Sequence, residues 1–407
     1  MRAVGAIVGT LAALSVGLAP SATADEQSKQ WYLKPMQAEQ MWKVSTGKGV
    51  KVAVIDTGVN PDTPSLKGQV LADEVPKSVA YHATQDFDGH GTTMAELIAG
   101  TGAGGGIKGL APGAKIVPYR IDLHGLKGEE AKKSPEPWQA IRAAADTDAE
   151  IISMSFGGVP DPTMEEAVNY AASKGKLMVA AVGNDGRGKG EIGYPAGFGY
   201  VIGVSSMDAS GTVSKFSSHG SWVDLTAPGE GFPGWCDGTF RSYCDNQNGT
   251  SAAAAIASAS AALIWSAHPD WTVNQVTRAL IDTAGRSWAK NNPSSYLGYG
   301  AVRPKNVLMN PHYDPGPPDV DPLAKENGGD LLAKSGHTPA PSASASASAS
   351  ASSQAPEKGT TGGTSAAGSN VRSSNDSSTL WIALGAAAAV VVIGGGGFAV
   401  MRARRAG

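Results

Sequence analysis

Val50-Lys51-Val52-Ala53-Val54-Ile55-Asp56-Thr57-Gly58 is the stretch on which the fold turns. Apart from Lys51 its first six residues are apolar and continuous rather than alternating, the pattern of a strand buried on both faces. The run stops at an acid, and a glycine follows within two residues, so the chain turns with a carboxylate at the edge of a sheet. Apolar runs of strand length recur at residues 115–121, 150–154, 176–182 and 200–204. Between and after them, residues 138–145, 163–173, 251–267 and 272–284 have helical composition and length. Thr272 is a candidate N-cap, and Pro135 and Pro137 suit the opening of their helix. Strand–helix alternation predicts an α/β domain, a mainly parallel sheet flanked by helices. Functional side chains in such sheets gather at the carboxyl ends of the strands.

Around this core, over residues 47–310, the composition changes at both ends. Residues 1–24 have the form of an export signal: Arg2, an apolar run, then Ala22-Thr23-Ala24 as a small-residue cleavage site. Residues 25–46 form an N-terminal extension. Residues 311–378 are rich in Pro, Ala, Ser and Gly, including a strict Ala-Ser alternation, and read as a disordered linker that cannot bury enough apolar surface to fold. Residues 379–401 carry no charge and are long enough to cross the ~30 Å hydrocarbon core as a transmembrane helix. Arg402, Arg404 and Arg405 follow, so residues 402–407 are expected on the cytoplasmic side and the globular domain outside the cell membrane.

A formal net charge of -3 gives no reason to expect nucleic acid as a partner. Cys236 and Cys244 lie in one Gly-rich stretch, and in an exported chain they are expected to form a local disulfide. Two thiols without nearby histidines offer too few ligands for a metal. No acid-rich loop has calcium-ligand spacing.

Four polar residues stop apolar runs or start helices. Asp56 ends the first strand in Asp56-Thr57-Gly58; its ordinary alternative is a carboxylate capping its own turn. Paired-aspartate acid proteases share Asp-Thr-Gly, but they need a second copy in a mostly β chain, and neither is present. In Asp88-Gly89-His90-Gly91-Thr92 a histidine sits between glycines at the mouth of a helix. Its imidazole, with an unperturbed pKa near ~6.5, suits proton transfer, although a lone histidine is more often a capping residue. Asn248-Gly249-Thr250-Ser251 precedes an Ala-rich helix, placing a hydroxyl where free N–H groups favour a developing anion; a plain N-cap serine has the same look. Ala180-Ala181-Val182-Gly183-Asn184 ends a strand at an amide that could donate to an oxyanion or simply make a turn.

Together, in the order Asp, His, Asn, Ser, these motifs resemble the subtilisin-like serine proteases over residues 47–284. Ser153-Met154-Ser155-Phe156-Gly157, Tyr194-Pro195-Ala196 and Leu225-Thr226-Ala227-Pro228-Gly229 add to the resemblance. It implies a serine endopeptidase with Asp56, His90 and Ser251 as triad, hydrogen-bonded in sequence, and Asn184 in the oxyanion hole. Ser155, Phe156, Gly157, Ala181 and Gly183 would bind a peptide substrate, with no cofactor and no metal. The signal, linker, single span and local cysteine pair are most similar to the mycosins, proteases associated with type VII secretion. That similarity implies a type VII secretion membrane complex as partner. The competing reading is a subtilisin-shaped structural component of such a complex, with dispensable catalysis. Two positions depart from the family: Ala255 stands where proline is usual and Ser258 where glycine is usual. About 31 residues separate Ala24 from Asp56, too few for a folded inhibitory propeptide. Trp31, Leu33, Met36 and Trp42 are expected to pack along the domain instead. The charged stretch 122–137 could gate the cleft or meet a partner.

Overall fold

The computed structural model describes residues 25–186 and 193–329. The expected export signal, the linker beyond residue 329, the transmembrane helix and the cytoplasmic tail lie outside the described residues.

Six parallel strands form the main sheet: β1 (Lys51–Asp56), β2 (Lys115–Arg120), β3 (Ile151–Met154), β4 (Leu177–Ala181), β5 (Val201–Met207) and β6 (Leu225–Pro228), in the order β2-β1-β3-β4-β5-β6. All but their terminal residues are buried, as continuous apolar runs require of strands covered on both faces. The chain reaches β2 on one side of β1 and β3 on the other. The crevice between β1 and β3 is therefore a topological switch point, where open α/β sheets bind ligands at their carboxyl ends. Asp56, the last residue of β1, and Ser155, the first after β3, both stand there.

The principal helices are α1 (His90–Ala99), α2 (Pro137–Ala145), α3 (Pro162–Ser173), α4 (Thr250–Ala267) and α5 (Val273–Asp282). Pro137 occupies the first turn of α2, behind a Glu136/Gln139 capping box, and Thr272 caps α5 with Gln275 as its reciprocal partner. Helix α4 is apolar on every side and is packed on β3 to β6 and on α1. It is long and apolar enough to cross a membrane, yet 89% of it is buried inside the domain. The two departures from the family lie in this helix. Ala255 is fully buried, and Ser258 Oγ donates to Ala254 O at 2.8 Å and pairs with the Ser153 hydroxyl of β3 at 3.0 Å, from which it can accept. A hydroxyl fits at the α4–β3 contact because both of its hydrogen-bonding roles can be filled.

Strand β6 is not among the runs expected as strands, and two further elements escape the pattern of the sequence. Residues 230–248 form an antiparallel hairpin, β7 (Glu230–Trp235) and β8 (Tyr243–Asn248), interrupted by register shifts and half exposed. Cys236 and Cys244 are joined across its tip with Cα atoms 4.9 Å apart. The stretch from 311 to 329 also stays on the domain, where composition puts the start of the linker. Arg278 donates to the carbonyls of Pro315, Pro317 and Val320, Gln275 to that of Gly316, and Thr272 and Asn274 to that of Pro318. Leu323 is buried, and Asn327 accepts from Tyr200 N at 2.7 Å. Composition counts apolar burial, whereas this segment is held largely through its carbonyls by the polar face of α5.

The N-terminal extension packs as expected. Trp31 Nε1 donates to Glu230 O and Trp42 Nε1 to Leu110 O, Leu33 is buried, and Met36 lies against the core. Tyr32 is fully buried beside them.

Candidate active site

Asp56 is fully buried at the end of β1. Its Oδ1 accepts from Thr57 N at 2.8 Å and from His90 Nδ1 at 2.6 Å. The imidazole reaches it because α1 starts at His90 and its second residue has no side chain. A Cβ on Gly91 would lie 2.2 Å from Gly58 O and 3.0 Å from Asp56 Cβ. Gly58 in turn has φ +100°, in the left-handed region, and a Cβ there would lie 2.7 Å from Gln85 O. Burial works against the imidazolium, but the charge and hydrogen bond of Asp56, with the charges of Asp88 and Asp86, outweigh it and raise the His90 pKa to about 9.

Ser251 stands in the first turn of α4, where its backbone N–H has no intrahelical acceptor. It is nearly buried, and it faces the same cavity as His90. The continuous Ser–His–Asp hydrogen-bond chain is present only in its His–Asp half. Ser251 Oγ donates to Ser155 O at 3.0 Å, and Ser155 Oγ donates back to Ser251 O at 3.0 Å. No hydrogen bond joins Ser251 to His90. Moving the hydroxyl off Ser155 O is a rotation about χ1 between staggered wells.

Asn184 follows β4 and is exposed to the cleft. Its Oδ1 accepts from Thr250 N at 3.0 Å and from Thr250 Oγ1 at 2.9 Å. With the oxygen so committed, Nδ2 is left for a ligand in the cavity that Asn184 shares with Ser251. That cavity, about 450 Å³, is also lined by Ser155, Phe156, Gly157, Ala181 and Gly183. Every site residue expected from the sequence meets here, apart from the buried Asp56 behind His90 and Cys244 at the hairpin tip.

Several neighbours gave no signal on their own. Asp86 accepts five hydrogen bonds: from Thr57 Oγ1, Asp88 N and Gly89 N on one oxygen, and from Thr92 N and Oγ1 on the other. It thus ties the end of β1 to the start of α1; its position four residues before His90 is the only trace in the sequence. Phe232, Trp235, Cys236 and Gln247 of the hairpin wall one side of the cleft. Leu123 and His124, from the charged stretch 122–137, line it too, and His124 Nδ1 lies 2.9 Å from Asp88 Oδ2. Farther along that stretch, Glu130 accepts from the buried Arg120 at 2.6 Å, which anchors it to β2.

Residues 47–300 match the subtilase family (Peptidase_S8). Thermitase from Thermoactinomyces vulgaris is 34% identical over 284 residues, covering 66% of this chain and 95% of the relative. The major intracellular serine protease of Bacillus subtilis (strain 168) is 38% identical over 211 residues, 49% of this chain and 64% of the relative. The chain thus spans less than two thirds of that protein's length. Among solved structures, MycP1 from Mycobacterium smegmatis is similar with a TM-score of 0.56 and 28% identity, covering 71% of this chain and 86% of that one. The MycP3 protease from the type VII (ESX-3) secretion system is similar with a TM-score of 0.57, 28% identity and 70% and 90% coverage. The fold is subtilisin-like, and the chain belongs to the subtilase family.

Proposed function

We propose that Asp56, His90 and Ser251 form a triad that hydrolyses peptide bonds. The observation that supports this most is the hydrogen bond from His90 to the buried Asp56, with His90 facing the same cavity as Ser251. An extended substrate pairs with the backbone at Ser155, Phe156 and Gly157. Ser251 Oγ turns from Ser155 O to His90 Nε2, gives up its proton and attacks the carbonyl carbon. Asp56 holds the imidazole in the right tautomer and stabilises its cation. The oxyanion accepts from Asn184 Nδ2 and Ser251 N–H. His90 then returns the proton to the leaving amine, and water repeats the sequence on the acyl-enzyme.

A serine-directed fluorophosphonate is expected to label the wild-type protein and leave Ser251→Ala unlabelled. Equal labelling of both would overturn the assignment. Asn184→Ala is expected to lower kcat by about 10²–10³ with little change in KM, the size measured for such a donor in subtilisin. A loss seen only in KM would remove Asn184 from the oxyanion role.

The protein is further proposed to work outside the cell, held by residues 379–401, in a type VII secretion membrane complex. Likeness to MycP1 and to the MycP3 protease of the ESX-3 system supports this context. Secretion by cells carrying only Ser251→Ala tests whether proteolysis or scaffolding is required there. Normal secretion would make the complex-stabilising role the dominant one.

A further inference from the structure

We propose that a second, larger cavity, at the β6 edge of the sheet, is a docking site for an acidic segment of a partner protein. The cavity measures about 800 Å³ and shares no lining residue with the catalytic cleft. The proposal goes beyond the peptidase reading and does not depend on it.

One wall comes from the N-terminal extension and is apolar, with Trp31 and Met36. Trp288 and three cations, Arg286, Arg303 and Lys305, also line the cavity. Asp208 is the one carboxylate in the lining, so the local charge is three positive less one negative, a net +2, in a chain whose formal net charge is -3. None of the three cations has a carboxylate partner among the described residues. Arg286 donates only to backbone carbonyls, those of Ile281, Asp282, Ala284 and Tyr299. Arg303 and Lys305 have no side-chain partner there. The carboxylate of Asp208 is turned to its own loop, taking Ser210 N, Ser210 Oγ and Thr212 N. Trp288 Nε1 is a buried donor without a partner. The uncompensated charge of the lining is that of the cations, with the side chains of Arg303 and Lys305 making no hydrogen bond among the described residues, so the complementary ligand is a set of acceptors bearing negative charge.

The volume suits a ligand at the upper end of the ~300–1,000 Å³ range of small-molecule sites. Filling it needs an apolar or aromatic body for the tryptophans together with more than one acid for the charge excess. A short acidic peptide with an aromatic or aliphatic side chain brings both, and guanidinium–carboxylate pairs are among the stronger polar contacts. An anionic bilayer fits less well. The site is concave, and no exposed large hydrophobic side chain among the described residues lines it to enter a lipid interface.

The test uses the full chain with its active serine blocked by the fluorophosphonate, so that no probe is cleaved. Fluorescein-labelled Glu-Phe-Glu-amide is titrated by anisotropy, beside the matching Gln-Phe-Gln-amide, free 4-phenylbutyrate as competitor, and phosphatidylglycerol vesicles. Expected are saturable binding of the acidic peptide, marked weakening between about 50 and about 500 mM salt, and no saturable binding of the amide peptide. Arg303→Gln, at an exposed position, and Lys305→Gln, at a half-buried one, should each weaken binding about tenfold or more. Both should leave the unblocked enzyme's turnover of a small peptide substrate unchanged. The proposal is overturned if the acidic peptide does not saturate, if the amide peptide binds equally well, or if neither variant weakens binding. Capture by vesicles alone would overturn it in favour of a lipid, and full displacement of the peptide by equimolar phenylbutyrate would overturn it in favour of a small organic anion.

Discussion

Asp86 performs no chemistry in the proposed reaction, yet its carboxyl group holds five donors and so sets where the reacting groups stand. Through Thr57 Oγ1, which also accepts from Gly91 N at 2.9 Å, it links the strand carrying Asp56 to the helix carrying His90. The acids near His90 have a second effect, on its protonation. With the imidazole pKa raised to about 9, most of the free enzyme near neutral pH carries the cation, which cannot take the Ser251 proton. We therefore expect kcat/KM to rise with pH and to reach half its plateau near 9. Asp88→Asn removes one charge that favours the imidazolium, so the midpoint should move to lower pH while the plateau stays of the same order. A pH profile unchanged in that variant would show that the Asp88 charge does not reach His90. The same shift acts on stability. A folded-state pKa above the unfolded value contributes stability that is fully present below the unfolded pKa and is lost as pH rises through about 9.

Among the elements, the β7–β8 hairpin has the largest influence on the site for the least sequence signal. It walls the cleft with Phe232 and Trp235, and Trp235 N donates to Thr93 Oγ1 of α1 at 3.0 Å. Tyr243 OH donates to the buried Glu96 of the same helix at 2.8 Å, and β8 runs directly into Gly249, Thr250 and Ser251. The Cys236–Cys244 bond closes its tip. Replacing both cysteines by serine should cost roughly 2–3 kcal/mol by chain-entropy reasoning and lower the melting temperature in a thermal scan. It should also reduce kcat/KM, because the strand that loosens leads into the nucleophile. A melting point that falls with kcat/KM intact would make the bond purely structural. Helix α4 shows the opposite balance, since its long Ala-rich, uncharged run announces it. Whether such a run lies in lipid or in a protein core is decided by what surrounds it, here four strands and α1.

For the whole molecule, both ends of the described chain act as straps. The N-terminal extension is fastened by two indole hydrogen bonds and the buried Tyr32, and the stretch 311–329 by the polar face of α5. Deleting residues 25–34 should lower the melting temperature. Ending the chain at 310 should destabilise it more than ending it at 329, with apparent unfolding free energies from denaturant curves as the measure. Equal stabilities of the two truncations would mean that the carbonyl contacts of 311–329 are no stronger than those the segment makes with water.

Continuous buried runs ending in polar residues were legible as strands because they are local properties of a few consecutive residues, and Asp56, His90, Asn184 and Ser251 were legible as one site through the family resemblance that their motifs and order carry. Polarity and spacing along the chain follow directly from the amino acids. The Asp86 hub, the hairpin wall, the resting bond from Ser251 to Ser155 and the docked stretch 311–329 were not legible. Each depends on a donor meeting an acceptor from a distant part of the chain, or on a half-exposed strand whose partner supplies its regularity. Which carbonyl a hydroxyl finds, and which strand a short irregular segment pairs with, is settled only when packing brings those groups within hydrogen-bonding distance.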